Sequence, residues 1–262
     1  YTLDDVQTVL RLCQGQDYHQ PLNFLEFFSL TFHDAGHILG SSIVELAVKD
    51  DLDTKTLVFS GDLGNPDTSL MRNFDFVEKA DVVLMESTYG DRDHRCFSET
   101  IDEFKAILKE AEADGGNILI PSFAVGRTQE LLFHLGKMYH EGLLDHWHVF
   151  LDSPMAKAVT DVYSNCIRQL DHADVALIRE KHGHDLASFL PNLTISESVE
   201  DSAAINNIKN GAIIIAGSGM CTGGRIRHHF KHRLWKANTH IVFVGFQARG
   251  TLGRILVDGV KR

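Results

Sequence analysis

The sequence predicts an α/β protein in two parts, residues 1–90 and 91–262. Three observations predict it. From Asp91 onward, short apolar runs alternate with longer segments of helical period, the pattern of a mostly parallel sheet flanked by helices. The loops after those runs are rich in glycine and hydroxyls, and in such a sheet ligands bind beyond the carboxyl ends of the strands. In the first part, single polar residues (His37, Asp62 and Glu86) sit in turns at strand boundaries.

With 44% hydrophobic and 23% charged residues, a chain of 262 can bury a sizeable core. No apolar run reaches the ~18 residues that span a bilayer, so no membrane is expected as a partner. The opening YTLDDVQTVL reads as an amphipathic segment and not a signal peptide. It lacks an initiator Met, as expected of a piece of a longer protein. Cys13, Cys96, Cys166 and Cys221 form no CxxC and no regular spacing. They are expected to be buried apolar thiols in a reducing cytoplasm, not a zinc ribbon or a disulfide framework. The net charge of −11 is unevenly spread: Ser202–Val257 holds eight Lys and Arg and no Asp or Glu, so this +8 segment leaves −19 for the remainder. A basic face on an acidic body can guide a polyanion, although a solvated helix face has the same composition.

Residues 1–30 read as a helix near Leu3–Leu12, a polar loop that includes His19, and an approach strand. In FHDAGHILGSS, His33 and His37 are four apart, but Gly36 and Gly40 favour a tight turn over a helix. Ser41–Val48 then alternates as a strand. A lone loop histidine is more often structural, yet glycine beside His37 lets the backbone approach a metal closely. Strand Thr56–Ser60 ends at Gly61-Asp62, where the carboxylate can cap a turn or bridge two cations. Strand Val82–Met85 ends at Glu86, which can cap through Ser87 or Thr88, or orient a histidine.

In the second part, helices are expected at about Glu99–Glu112, Arg127–Glu141, Met155–Leu170 and Gly224–Lys236. Strands are expected at Asn117–Ile120, His148–Leu151, Leu193–Ile195, Ala212–Ala216 and His240–Gly245, with a last element at Arg254–Val257. The loops PSFAVGR, DSPMA, AGSGMCTGGR and FQARGT place Ser122, Arg127, Asp152, Ser153, Ser218, Thr222, Arg225, Gln247, Arg249 and Thr251 on one rim. Hydroxyls, glycines and arginines before helix N-termini suit phosphate oxygens. Helix capping by Ser122 or Ser153 is the plainer alternative. GSGMCTG has the spacing GxGxxxG and no acid about twenty residues on, so it is not a dinucleotide fingerprint. A Walker loop fails at Gly126, with Pro121 where its first glycine belongs and Arg127 in place of Lys.

HDAGHILGS, FSGDLG and ESTYGDR, in this order, resemble the third and fourth metal motifs of the metallo-β-lactamase superfamily and the first additional motif of its β-CASP nucleases. PSFAVGRTQELL, LDSPMA, GSGMCTGGR and GFQARGTLGR resemble the β-CASP insertion of the branch that contains the pre-mRNA 3′-end-processing endonuclease and its archaeal and bacterial relatives. The resemblance covers nearly the whole chain. It implies a partial metallo-β-lactamase fold (αββα) over 1–90 and a β-CASP domain over 91–262. It makes His37 a metal ligand, Asp62 the metal-bridging carboxylate, and Glu86 the acid that partners a catalytic histidine. The HxHxDH motif and the two later family histidines have no counterpart here, which places them before Tyr1 and after Arg262. This piece alone is then expected to bind metal weakly or not at all and to be inactive.

For the complete protein the resemblance implies two zinc ions sharing Asp62, activating water for in-line attack on an RNA phosphodiester. The β-CASP part would hold single-stranded RNA on its rim, in the cytoplasm; a homodimer is allowed. Glu rather than Asp in ESTYG resembles the RNA-acting branch. Two alternatives remain. An RNA-binding paralogue without activity is expected if the upstream sequence lacks HxHxDH. A small-molecule metallohydrolase is disfavoured by the long second part and its acid-free basic segment.

Overall fold

A computed structural model describes residues 1–24, 26–49, 53–66 and 68–259. The chain divides into two compact units, Tyr1–Asp91 and Arg92–Arg262.

The first unit opens with helix α1 (Leu3–Leu12), started by a capping box in which Thr2 and Asp5 each bond the other's backbone N–H. No residue of α1 is buried. Five strands follow: β1 (Leu22–Phe24), β2 (Phe28–Asp34), β3 (Ser42–Lys49), β4 (Thr54–Phe59) and β5 (Val82–Leu84). They form one sheet in sequence order, antiparallel from β1 to β4, with β5 parallel to β4. The pairs His33–Ile43 and Glu45–Val58 share a face, because cross-strand partners point the same way. Ile43 and Val58 meet Ala35, Leu63 and Val77 there in a small core. The apolar strand β5 is exposed along its length.

The second unit is a parallel sheet with helices packed on it. Its strands are β6 (Asn117–Pro121), β7 (His148–Asp152), β8 (Leu193–Ile195), β9 (Ala212–Ala216) and β10 (Thr239–Ile241), in the order β10-β6-β9-β7-β8. Every pairing is parallel. β6 and β9 are buried at every residue, so their sequences run apolar without alternating. Alternation survives in which side each residue faces. Ile118, Ile120, Val149, Leu151, Ile213 and Ile215 pack against α2 (Phe97–Ala113) and α3 (Arg127–His140). Leu119, Phe150, Ile214 and Ala216 pack on the other side, with Ile226 and Phe230 of α7 (Ile226–Arg233). The one polar residue buried within β6, Asn117, bonds Lys209 O (2.8 Å) and Ala212 N (3.1 Å) and so ties β6 to the start of β9.

Several boundaries differ from expectation. β10 stops at Ile241, not Gly245. Asn117 N–H bonds Asn238 O at 3.1 Å, and continuing that pattern requires an N–H at Pro121, which proline lacks. α4 (Pro154–Asn165) ends early and a 3₁₀ turn at Ile167–Gln169 replaces its last turn. Two helices escaped the reading: α5 (His172–Glu180), capped by Asp171, and α6 (Val199–Ala204), capped by Ser198 with Asp201. The last element, α8 (Leu252–Asp258), is a helix. The thiols are a correction: Cys221 is buried, but Cys13 and Cys96 are exposed and Cys166 is half-buried. Among the described residues, no helix is long and apolar enough to cross a membrane.

Between α2, α3 and residues 241–244 lies a cavity of about 320 Å³ lined by Phe97, Arg127, Glu130 and His134 among others. Burial pushes the Glu130 carboxyl up. Burial, with Lys137 and Arg127 adding repulsion, brings His134 down to about 4, and its Nε2 has no partner among the described residues. A depressed histidine stays neutral in the fold while the unfolded chain takes up a proton below about 6.5. Stability should therefore be full above pH 6.5 and fall as the pH drops toward 4. His134→Leu should flatten that part of a urea-unfolding series taken against pH.

Candidate active site

The β2–β3 turn is built by residues 35–41. Gly36 sits at φ +63°, a conformation that suits glycine. The Ser41 hydroxyl accepts from the N–H groups of His37 (3.1 Å) and Ile38 (3.2 Å), which fixes the backbone under the His37 ring. The segment after β4 presses onto this turn. Gly64 N–H donates to Ala35 O at 2.8 Å, and a Cβ at Gly64 would lie 2.0 Å from Gly36 O. β5 then supplies Glu86. Its N–H donates to Ser60 Oγ (2.9 Å), Oε1 accepts from Leu63 N–H (3.0 Å), and Oε2 accepts from Thr88 N–H (3.2 Å). The Thr88 side chain and then the Leu63 N–H hold the carboxyl below its usual range against burial, with the Thr88 N–H and the nearby His37 adding to them.

Three distant sequence segments thus bring His37, Asp62 and Glu86 to one end of the first sheet. His37 and Asp62 are exposed. Among the described residues neither side chain has a hydrogen-bond partner. One imidazole and one carboxylate on adjoining turns suit zinc as part of a donor set. Two donors do not complete the four that zinc takes, and the pair belongs to no cluster of three or more His, Cys, Asp or Glu donors among the described residues. Glu86 differs in kind: both its oxygens brace the backbone on either side of the site, which is the capping alternative.

In the second unit, the loops after β6, β7, β9 and β10 meet at one edge of the sheet. Ser122 N–H reaches Ala216 O (3.0 Å), Gln247 Nε2 reaches Gly219 O (3.0 Å), and Gly253 N–H reaches Met220 O (3.1 Å). The rim exists, but several of its expected phosphate ligands are occupied by the protein. Arg225 is turned inward: its NH1 donates to Asp152 Oδ1 (2.7 Å) and Ser196 O, and its NH2 to Glu197 O. Ser122 is buried, donates to Phe123 O and accepts from Thr128. Ser153 caps α4 through Ala156 N–H, and Thr251 caps α8 through Arg254 N–H. Ser218 bonds Gly223 within its own loop. Arg127 pairs with Glu130. Thr222 and Arg249 are exposed on the loops. The +8 segment is also less basic outward than its composition suggests. Arg233 is buried with its guanidinium on Ile205 O and Ile208 O, and Arg254 pairs with Asp258.

Sequence reasoning missed the network behind this rim. Asp152 is fully buried at the end of β7, where its oxygens take His229 Nε2 (2.6 Å), Ser202 Oγ (2.6 Å) and Arg225 NH1 (2.7 Å). Burial works against its charge, and these three bonds outweigh it, leaving the carboxyl below its usual range. Asp152 was visible in DSPMA, but its partners lie 50–77 residues away by number, beyond any local signal.

Both units have the architecture of a metallo-β-lactamase/β-CASP protein. Residues 128–256 match the Beta-Casp domain, so the second unit is a β-CASP domain. It is 38% identical to Ribonuclease TTHA0252 of Thermus thermophilus over 97% of its own length and 57% of that protein's. It is 32% identical to the Transcription termination factor FttA of Methanosarcina mazei over 94% of its length and 38% of the other's. An RNase J-like protein of Methanocaldococcus jannaschii is 29% identical over 100% of this chain and 59% of its own. The chain thus spans between about two-fifths and three-fifths of these relatives.

Removing the Asp152 carboxylate leaves Arg225 and His229 without their anion. Asp152→Ala should cost about 3–5 kcal/mol of unfolding free energy, toward the lower end because Arg225 is partly exposed. Urea denaturation of the chain measures it.

Proposed function

We propose that the full-length protein is a ribonuclease that hydrolyses RNA phosphodiester bonds at a zinc centre, with His37 and Asp62 supplying part of the donor set. One observation carries this: His37 and Asp62 lie on turns that touch backbone to backbone, and among the described residues neither side chain makes a hydrogen bond. The names of the relatives, a ribonuclease and an RNase J-like protein, support RNA as the substrate class. Bound zinc would lower the pKa of water and neutralise charge on phosphate oxygens, and two ions sharing one carboxylate suit an in-line displacement. The remaining donors would come from residues outside 1–262.

Within this chain each residue has a definite task. Ser41 holds the His37 backbone, and Glu86 holds Leu63 and Thr88 so that the Asp62 turn keeps its place. Thr222 and Arg249, with loop N–H groups, are the rim groups left to meet phosphate oxygens along a strand of single-stranded RNA. Asp152 keeps Arg225 folded inward, so Arg225 shapes the rim from below. The absence of CxxC pairs and disulfide spacing suits a cytoplasmic protein.

A second reading, RNA binding without cleavage, draws on the relatives named termination factors. Asp62→Ala in the full-length protein separates the two. Cleavage of a labelled single-stranded RNA should fall by about 10²-fold or more while affinity for the RNA is kept. Equal cleavage by the variant ends the ribonuclease reading at this site, and a wild type that binds RNA without cutting it favours the second.

A further inference from the structure

We propose that His19, His33 and Asp75 form a second divalent-cation site of the zinc class, apart from the His37 and Asp62 turns. One ligand atom from each of the three lies within 4.8 Å of the other two. Among the described residues this is the one group of three or more His, Cys, Asp or Glu side chains so arranged. They come from three segments: the loop before β1, strand β2, and the crossover between β4 and β5.

Backbone bonds hold the three residues together, and His19 Nε2 lies 2.7 Å from Asp75 Oδ2, a contact that a shared cation would replace. His19 N–H donates to Phe32 O at 2.8 Å, which pins its loop to β2, and its ring lies 5.6 Å from that of His33. Asp34 N–H donates to Asp75 Oδ2 (2.7 Å), and Asp75 N–H returns to Asp34 O (2.8 Å), so Asp75 is tied to β2 through one carboxylate oxygen and through its backbone. His33 Nε2 contacts Glu45 Oε2 at 2.8 Å, which leaves the other ring nitrogen for a metal. A carboxylate behind a ligating imidazole is the usual outer partner of such a ligand. Glu45 reaches His33 because both lie on one face of the β2–β3 pair.

Charge and geometry both favour a cation. Three carboxylates (Asp34, Glu45 and Asp75) surround two imidazoles, with Arg72 the cation near Asp34. Two nitrogens and an oxygen select zinc over magnesium or calcium, which prefer oxygen alone. Tetrahedral zinc with bonds of about 2.0 Å needs its ligand atoms ~3.3 Å apart, so side-chain rotations of an ångström or so close the site. Water completes the coordination. The ion would fasten the His19 loop and the Asp75 segment to β2, four residues before His37. The proposal does not rest on the ribonuclease reading.

The test uses the 262-residue chain with His37→Ala and Asp62→Ala, so that the other zinc donors are gone. It is titrated with Co²⁺, read by visible absorption, and competed with Zn²⁺; melting temperature is followed in parallel. One equivalent should bind in tetrahedral form and raise the melting temperature. Asp75→Asn and, separately, His19→Gln should abolish binding, and Glu45→Gln should weaken it about 10–100-fold. Circular dichroism checks that each variant is folded; His19 lies in an exposed loop, so its variant serves if Asp75→Asn unfolds. No uptake of Co²⁺ or Zn²⁺, or uptake indifferent to His19→Gln, overturns the proposal and leaves the His19–Asp75 contact as a plain ion pair.

Discussion

The first unit depends on one backbone contact. Gly64 lies so close to Gly36 and His37 that a single Cβ there would overlap a carbonyl oxygen. Only a chain without a side chain approaches this closely, and its N–H is satisfied by Ala35 O. The contact draws the segment after β4 against the β2–β3 turn. Asp62 is carried with it, two residues upstream, and Glu86 secures the segment from the far side through Leu63. The approach of an imidazole and a carboxylate is thus a property of main chain, not of attraction between the two side chains. That is what a metal site requires before the metal arrives, since its donors gain nothing from each other.

The second unit solves a different problem, that of charge at a strand end. Asp152 is fully buried, which is costly unless every oxygen is bonded. Ser202 of α6, Arg225 at the start of α7 and His229 within it meet that need and join the end of β7 to both helices. Arg225 is thereby withdrawn from the ligand side. Rim arginines are of two kinds here: Arg225 holds the loops in place, and Arg249 is presented to solvent. The same distinction reduces the basic segment, where Arg233 bonds two carbonyls inside the unit.

Much of the architecture was legible because the second unit speaks in runs. Ala212–Ala216 is apolar throughout, Leu193–Ile195 alternates around Thr194, and Asn117–Pro121 is bounded by glycine and a capped turn, so periodicity located them. α5 and α6 were not legible, being short; only Asp171 and the Ser198–Asp201 box marked them. The convergence of four loops followed from parallel topology alone. What each rim side chain does could not follow, because Ser122, Ser153 and Thr251 serve equally well as caps or as phosphate donors until a partner is seen. His19 was read as a loop residue and His33 as part of a tight turn. Their meeting with Asp75 depends on a separation of 56 residues between His19 and its partner, which no spacing rule reaches.

The most direct test of the convergence at His37 and Asp62 is the cleavage rate of the full-length protein carrying Gly64→Ala, measured beside its melting curve. The added methyl must push the Asp62 segment away from the His37 turn, so a folded variant should lose about 10²-fold in rate. A folded variant that cleaves RNA at the original rate would contradict the claim that this backbone contact assembles the site.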